Sequence, residues 1–434
     1  KDLIAIPSIS ADSTHYGDIQ KAAELLQTKL IDLGFSNVKI MPTDGLPVVF
    51  GEHMQAGKDS PTMLVYGHYD VQPADPLELW NSEPFNATIQ DDVLVGRGSS
   101  DMKGQVIASL AAVESVLDSG DSPVNIKFML EGEEETGSPT LGDFIATNKA
   151  IFAADFALNP DAGMLSANQP TITYALRGLA YFQIDVSGPS HDLHSGLYGG
   201  TVRNPANELA RLIAGMHDEN NRITLPGFYD DVRDLDEKER SELAKLPQDE
   251  AFYLEQTGVS TLWGEQGFSP NERATGRPTL DVNGILSGYT GEGAKTVLPS
   301  KAMAKISCRL VANQDPYKVL DQMKQYFKEN AHPSLKWEVR MVSEAVASIS
   351  ELNSKEVQAM SKALEEVWGV ETLYKREGGS IPVVGYMQKE LGIESVLTGF
   401  GLPEDRMHSP NERLHLPTWE KGIQALIHFI FNLG

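Results

Sequence analysis

Cys308 is the only cysteine among 434 residues. That excludes an internal disulfide and a thiolate metal cluster, and it fits a reducing compartment, so a cytoplasmic protein is expected. Positive charge is scarce too: 36 Lys and Arg stand against 61 Asp and Glu, a formal net charge of −25. Such an excess repels phosphate backbones and anionic lipid surfaces, so neither nucleic acid nor a membrane is expected as a partner. No apolar run approaches the ~20 residues needed to span a bilayer. The sequence also lacks a repeat period and any low-complexity tract.

What is present is an ordinary globular composition, 41% apolar and 22% charged. At this length one core usually gives way to two. Ala22, Leu25, Leu26 and Leu30 recur at helical spacing before Gly34, which predicts a helix over 19–33. Apolar runs at 38–41, 62–66, 124–130 and 155–158 read as strands, with a second helix over 105–117. Strands alternating with helices predict an α/β layer with a mostly parallel sheet. After Arg177 the texture changes, with half-exposed alternation over 179–186 and 302–311 around a long polar stretch. The economical organisation is a first domain at 1–177 and 360–434, interrupted by an α+β domain at 178–359. The helix at 355–368 and the strand at 394–398 read as the return to the first domain.

The acidic and histidine residues fall just past the apolar runs. His68 and Asp70 follow Tyr66, Glu131 to Glu135 follow Leu130, Asp161 follows Leu158, and His408 lies beyond Thr398. Ligand sites in open α/β sheets lie outside the carboxyl ends of the strands, so four segments deliver carboxylates or imidazoles to one sheet edge. Each has an ordinary explanation by itself: a loop histidine, a solvated acidic loop, a turn-capping aspartate. Together, mutually repelling carboxylates need a compensating cation or must take up protons. The turn at 96–101, GRGSSD, lacks the glycine and lysine spacing of a phosphate-binding loop. Asp101 is better used there as a carboxylate shared by two cations.

The stretches GHYDVQP, GRGSSDMKG, EGEEETGS, HSGLYGG, GEGAKTVLP, GGSIP and MHSPNE, in that order from Gly67 to Glu412, resemble the M20 family of metallopeptidases. The similarity is strongest to its branch of cytosolic non-specific dipeptidases and carnosinases. The resemblance implies two zinc ions per subunit bridged by Asp101, one also held by His68 and Asp161, the other by Glu135 and His408. Manganese fits as well, since no sulfur selects against harder metals. It implies Asp70 as the residue that orients His68, and Glu134 as the general base toward a hydroxide shared by the two ions. Adjacent residues of an extended chain face opposite ways, which separates Glu134 from Glu135.

The inserted segment is similar to the family's lid and dimerisation domain, which implies a homodimer whose His194 completes the partner's active site. Arg309, Thr296 and Ser380 are implied to bind the carboxyl end of a small peptide substrate, the Arg fork suiting a carboxylate. The expected activity is hydrolysis of dipeptides or very short peptides. An N-acyl or N-succinyl amino acid deacylase on the same scaffold is the nearest alternative, and a peptide-sensing protein without catalysis a more distant one.

Overall fold

The computed structural model describes residues 1–120 and 122–434. The chain divides into two compact units, one formed by 1–174, 349–375 and 381–434, the other by 175–348 and 376–380. A return at 360 would cut the helix Lys355–Trp368, which instead lies whole in the first unit.

In the first unit six neighbouring strands of a nine-stranded sheet run in the order Ser36–Met41, Val48–His53, Asn125–Glu131, Thr62–His68, Phe156–Asn159, Ser395–Leu397. The last four are mutually parallel. Asn125–Glu131 is buried along its whole length, as expected for a strand covered on both faces. The helices Lys103–Asp118, Leu416–Asn432 and Lys355–Trp368 pack against one another in that order. Phe429 meets Phe156 edge-on at 6.3 Å, which seats Leu416–Asn432 on the sheet. The helix Tyr16–Asp32 packs on the two antiparallel strands, burying Ile19, Ala22, Ala23, Leu26 and Leu30 at helical spacing.

Strand register matters most for the site. His68 lies opposite Glu131, and Val65 opposite Leu158, so the parallel strands end at one rim. His68 is itself the last residue of its strand, two residues later than the apolar run at 62–66 ends. At the fourth strand the chain must pass close to its neighbour: Ala162 N donates to Thr398 O at 2.9 Å. Only glycine allows this approach, because a Cβ on Gly399 would lie 1.7 Å from Ala162 O.

In the second unit four antiparallel strands order as Thr279–Ser287, Lys301–Leu310, Gly178–Ser187, Lys336–Ala345. Gly178–Ser187 alternates strictly between buried and half-buried residues. Its buried face, with Phe182, Ile184 and Val186, packs with residues of the helices Pro205–Ala214 and Pro316–Asn330 in one core. No helix among the described residues is long and apolar enough to cross a membrane.

Gly399→Ala should destabilise the chain by about 1–3 kcal/mol, the usual cost of overpacking. Denaturant unfolding measures it, and an unchanged midpoint would contradict the close approach at Ala162.

Candidate metal centre

His68 is fully buried at its strand end. Its Nδ1 faces the Asp70 carbonyl at 3.1 Å and Asp70 Oδ1 at 3.4 Å, which turns Nε2 toward the rim. The Asp70 carboxylate also reaches the backbone of the acidic loop, where Oδ1 accepts the Glu134 N–H at 3.2 Å and Oδ2 the Glu135 N–H at 3.0 Å. One buried carboxylate thus sets both the imidazole and the glutamate turn. That turn is a 3₁₀ helix, Glu134–Thr136, and not the extended chain expected from sequence. Side chains in it diverge by about a third of a turn per residue, so the two glutamates still point apart.

Asp101 is fixed by a different acid. Glu412, fully buried, accepts the N–H groups of Gly98 at 2.9 Å, Ser100 at 2.9 Å and Asp101 at 3.0 Å, and Arg97 Nη1 at 2.8 Å. The loop closes on this carboxylate much as an anion seats in a nest of amides. Burial nevertheless pushes Glu412 up to about 7, against the pull of Arg97.

The structure brings His68, Asp101, Glu134, Glu135, Asp161 and His408 together. Asp101 Oδ1 lies 3.1 Å from His68 Nε2, and its Oδ2 lies 2.9 Å from His408 Nε2. On the His68 side Asp161 Oδ1 is 3.9 Å from Nε2; on the His408 side Glu135 Oε2 is 3.2 Å from Nε2. Gln72 Nε2 donates to that same Glu135 oxygen at 2.9 Å. Glu134 Oε2 stands 4.0 Å from His68 Nε2. Donor atoms of His68, Asp101 and Glu135 fall within 4.8 Å of one another. His408 reaches in from a left-handed backbone, φ 60°, a conformation costing on the order of 1 kcal/mol that its surroundings must hold.

Electrostatics show how this cluster balances its charge. Burial opposes charge on Glu134 and pushes it up to about 8, and it raises Asp161 well above the carboxylate range. Hydrogen bonds to Asp101 and Glu135 push His408 up to about 10. Burial disfavours charge on His68, yet Asp101, Asp70 and the nearby acids outweigh it and raise His68. Burial would also disfavour ionised Asp101, but the two imidazoles hold it below its usual range. Protons stand where positive charge is required. Two imidazoles and several carboxylates are the donor set of a divalent metal site such as zinc, and a carboxylate with one oxygen toward each histidine suits two ions.

The other predicted residues lie in the second unit. Arg309 Nη1 meets Ser380 Oγ at 3.4 Å, and Ser380 Oγ donates to Arg177 O at 2.5 Å. His194, itself exposed, pairs with Val297, next to Thr296, in a short two-stranded ladder, and its Nδ1 accepts the Gly196 N–H at 3.0 Å. Glu412 and Gln72 had no role assigned from sequence, although both sit in the matching words; nothing local marks a glutamate as buried. Trp80 faces Arg97 at 5.5 Å and Trp337 packs on Phe327 at 5.6 Å.

Residues 64–432 match the model of "Peptidase family M20/M25/M40". The Cys-Gly metallodipeptidase DUG1 of Candida albicans is 32% identical, covering 99% of this chain and 93% of that protein. The Beta-Ala-His dipeptidase of Homo sapiens is 30% identical, over 89% of this chain and 78% of its own length. Among solved structures, the M20 family metallo-carboxypeptidase Sso-CP2 from Sulfolobus solfataricus has a TM-score of 0.84 at 33% identity, covering 100% of this chain and 97% of that one.

Metal ligands must be neutral imidazoles and ionised carboxylates. With His408 pushed up to about 10, its imidazole holds a proton at neutral pH that a metal would displace. Zinc uptake should therefore release protons and weaken as pH falls. Calorimetry in buffers of different ionisation enthalpy reads this, and uptake without proton release would contradict it. Asp70→Ala should lower zinc affinity by ~10- to 100-fold; unchanged affinity by competition with a chelator would remove its supporting role.

Proposed function

This chain belongs to peptidase family M20/M25/M40, and we propose that it is a metallodipeptidase cleaving dipeptides and very short peptides with two zinc ions. The observation that carries the reading is Asp101, with one oxygen toward His68 and the other toward His408. In it Asp101 would be shared between the two ions, His68 and Asp161 would help hold one, and Glu135 and His408 the other. When bound, the ions supply Lewis acidity at the scissile carbonyl and make water acidic enough to attack near neutral pH.

Glu134 is the general base. It stands at the rim beside His68 with its backbone pinned by Asp70, and its carboxyl, pushed up by burial, suits taking and returning a proton near neutral pH. It accepts the proton of the attacking water and gives it to the departing amine. His194 stabilises the oxyanion. With Nδ1 accepting the Gly196 N–H, the neutral ring keeps its proton on Nε2, a donor for a developing negative charge. Arg309, with Ser380 and Thr296, holds the peptide's α-carboxylate, which restricts the enzyme to short substrates with a free carboxyl end.

A homodimer through the second unit belongs to the same reading. Thr279–Ser287 is an edge strand, and its Ile285 and Leu286 are 59% and 56% exposed, an apolar edge that a second copy would cover. His194 would then serve the partner's site. A cytoplasmic setting suits the single cysteine.

Glu134→Ala should keep its zinc and lose at least ~10²-fold in kcat; near-normal turnover would refute the base. The zinc-loaded chain should cleave Ala-, Gly- and Cys-Gly-type dipeptides in preference to N-acetyl and N-succinyl amino acids. The reverse preference would make it a deacylase.

A further inference from the structure

The Arg309 corner of the second unit holds more positive charge than it neutralises. Arg177 donates from Nε to Gly378 O at 3.1 Å, but its Nη1 is buried with no hydrogen-bond partner. Arg309 meets a neutral hydroxyl, Ser380 Oγ. Among the described residues neither guanidinium is hydrogen-bonded to a carboxylate. The two cations are close enough that Arg177, lowered first by burial and then by Arg309, falls to about 10. Such a corner suits an anionic group brought by a ligand, consistent with a bound α-carboxylate.

A cavity of about 250 Å³ adjoins this corner. Thr279 and Asp281, which line it, lie two residues apart on one strand and so share a face. Thr279 is paired with Arg309 across the ladder, where facing Cβ atoms lie ~4.5–5.5 Å apart. The opposite wall meets the corner at Gly378: a Cβ there would be 3.1 Å from the carbonyl of Ala274, a lining residue, and 3.3 Å from Arg177 Nη2. Cavity and arginines therefore lie within the reach of one amino acid, whose carboxylate and side chain diverge from a single Cα.

The lining shows which side chain fits. Ile223, Tyr253, Leu262, Trp263, Ala274 and Pro278 give an apolar and aromatic surface. Of the charged groups beside them, Arg277 grips Glu265 with two hydrogen bonds, at 2.8 and 2.9 Å, and Arg222 adds a third at 2.9 Å, while Arg273 donates to the Glu265 carbonyl at 2.8 Å and Asp281 adds a carboxylate that disfavours an acidic side chain. Trp263 stands at the mouth, 63% exposed and edge-on to His217 at 5.3 Å, a large ring with area left to cover. The volume falls below the ~300–1,000 Å³ of sites that engulf a drug-sized ligand, and suits one side chain.

We propose that this cavity receives the side chain of the substrate's C-terminal residue and selects a large apolar or aromatic one over glycine or an acidic residue. The inference rests on the dipeptidase reading through the α-carboxylate at Arg309. Its test has two arms. In the first, the zinc-loaded chain is assayed on Ala-Gly, Ala-Leu, Ala-Phe and Ala-Glu, beside Ala274→Phe, which fills the cavity, and Trp263→Ala, which strips its mouth. Ala-Phe and Ala-Leu should exceed Ala-Gly in kcat/KM by roughly 10- to 200-fold, mainly through KM, with Ala-Glu below both. Each variant should cut that ratio by about tenfold or more. Equal kcat/KM across the series, or a preference that Trp263→Ala leaves intact, would overturn the inference; Trp263 is exposed enough that this variant retains its fold. In the second arm, calorimetry compares N-acetyl-phenylalanine with N-acetylglycine as ligands of the same proteins. Tighter binding of the former, lost in Trp263→Ala, supports the subsite; equal or absent binding rejects it. If no dipeptide were turned over, the dipeptidase reading alone would fail, and the binding arm would decide the subsite.

Discussion

Too much negative charge at one rim of a sheet is the constraint on which the catalytic unit is built. Asp101, Glu134, Glu135 and Asp161 converge where parallel strands end, with His68 and His408 to offset them. Carboxylates so close would disperse if their backbones were free. Two further buried acids prevent this: Asp70 holds the amides of Glu134 and Glu135, and Glu412 those of Gly98, Ser100 and Asp101. Carboxylate-to-amide bonds between distant segments thus set the geometry, while the raised proton affinities of Glu134, Asp161 and the imidazoles offset the charge. A site pre-formed at that electrostatic cost is one whose stability improves when divalent cations replace the protons.

Much of this could be read from the sequence because it rests on short-range patterns. The apolar runs that became parallel strands are contiguous, and the acids directly past them need only the rule that strand ends face the ligand. The family resemblance carried by the seven motif words agrees with the match over residues 64–432. What escaped depends on distance along the chain. Asp70 bonds amides 64 and 65 residues away, and Glu412 one 314 residues away, so neither contact leaves a local trace. The glutamate turn was misjudged for a related reason: its 3₁₀ form follows from Asp70 gathering two successive N–H groups, which an isolated EGEEETGS does not reveal. The return to the first unit lies at 349 because the helix Lys355–Trp368 buries Val357, Met360 and Leu364 as one face, which a boundary inside it would split.

The second unit follows a different logic. Its sheet buries one face in an apolar core and leaves the other to Arg309, Thr279 and Asp281, a polar face suited to reading a ligand. Among the described residues Arg177 and Arg309 share a corner with hydroxyl and carbonyl hydrogen-bond partners, near the charge of Asp281, while Arg277 beside the nearby cavity is spent on the Glu265 carboxylate. Guanidinium groups are thus divided between those that build the wall and those left for an anion. A small substrate with one carboxylate and one side chain is the object such a division would sort.

The central claim is that the crowded rim exists to hold two cations on either side of Asp101. Anomalous diffraction from crystals grown with zinc tests it most directly. The account predicts two peaks flanking Asp101, one contacting His68 and Asp161, the other Glu135 and His408. No peak at the rim, or a single ion that leaves Asp101 uncoordinated, would contradict it.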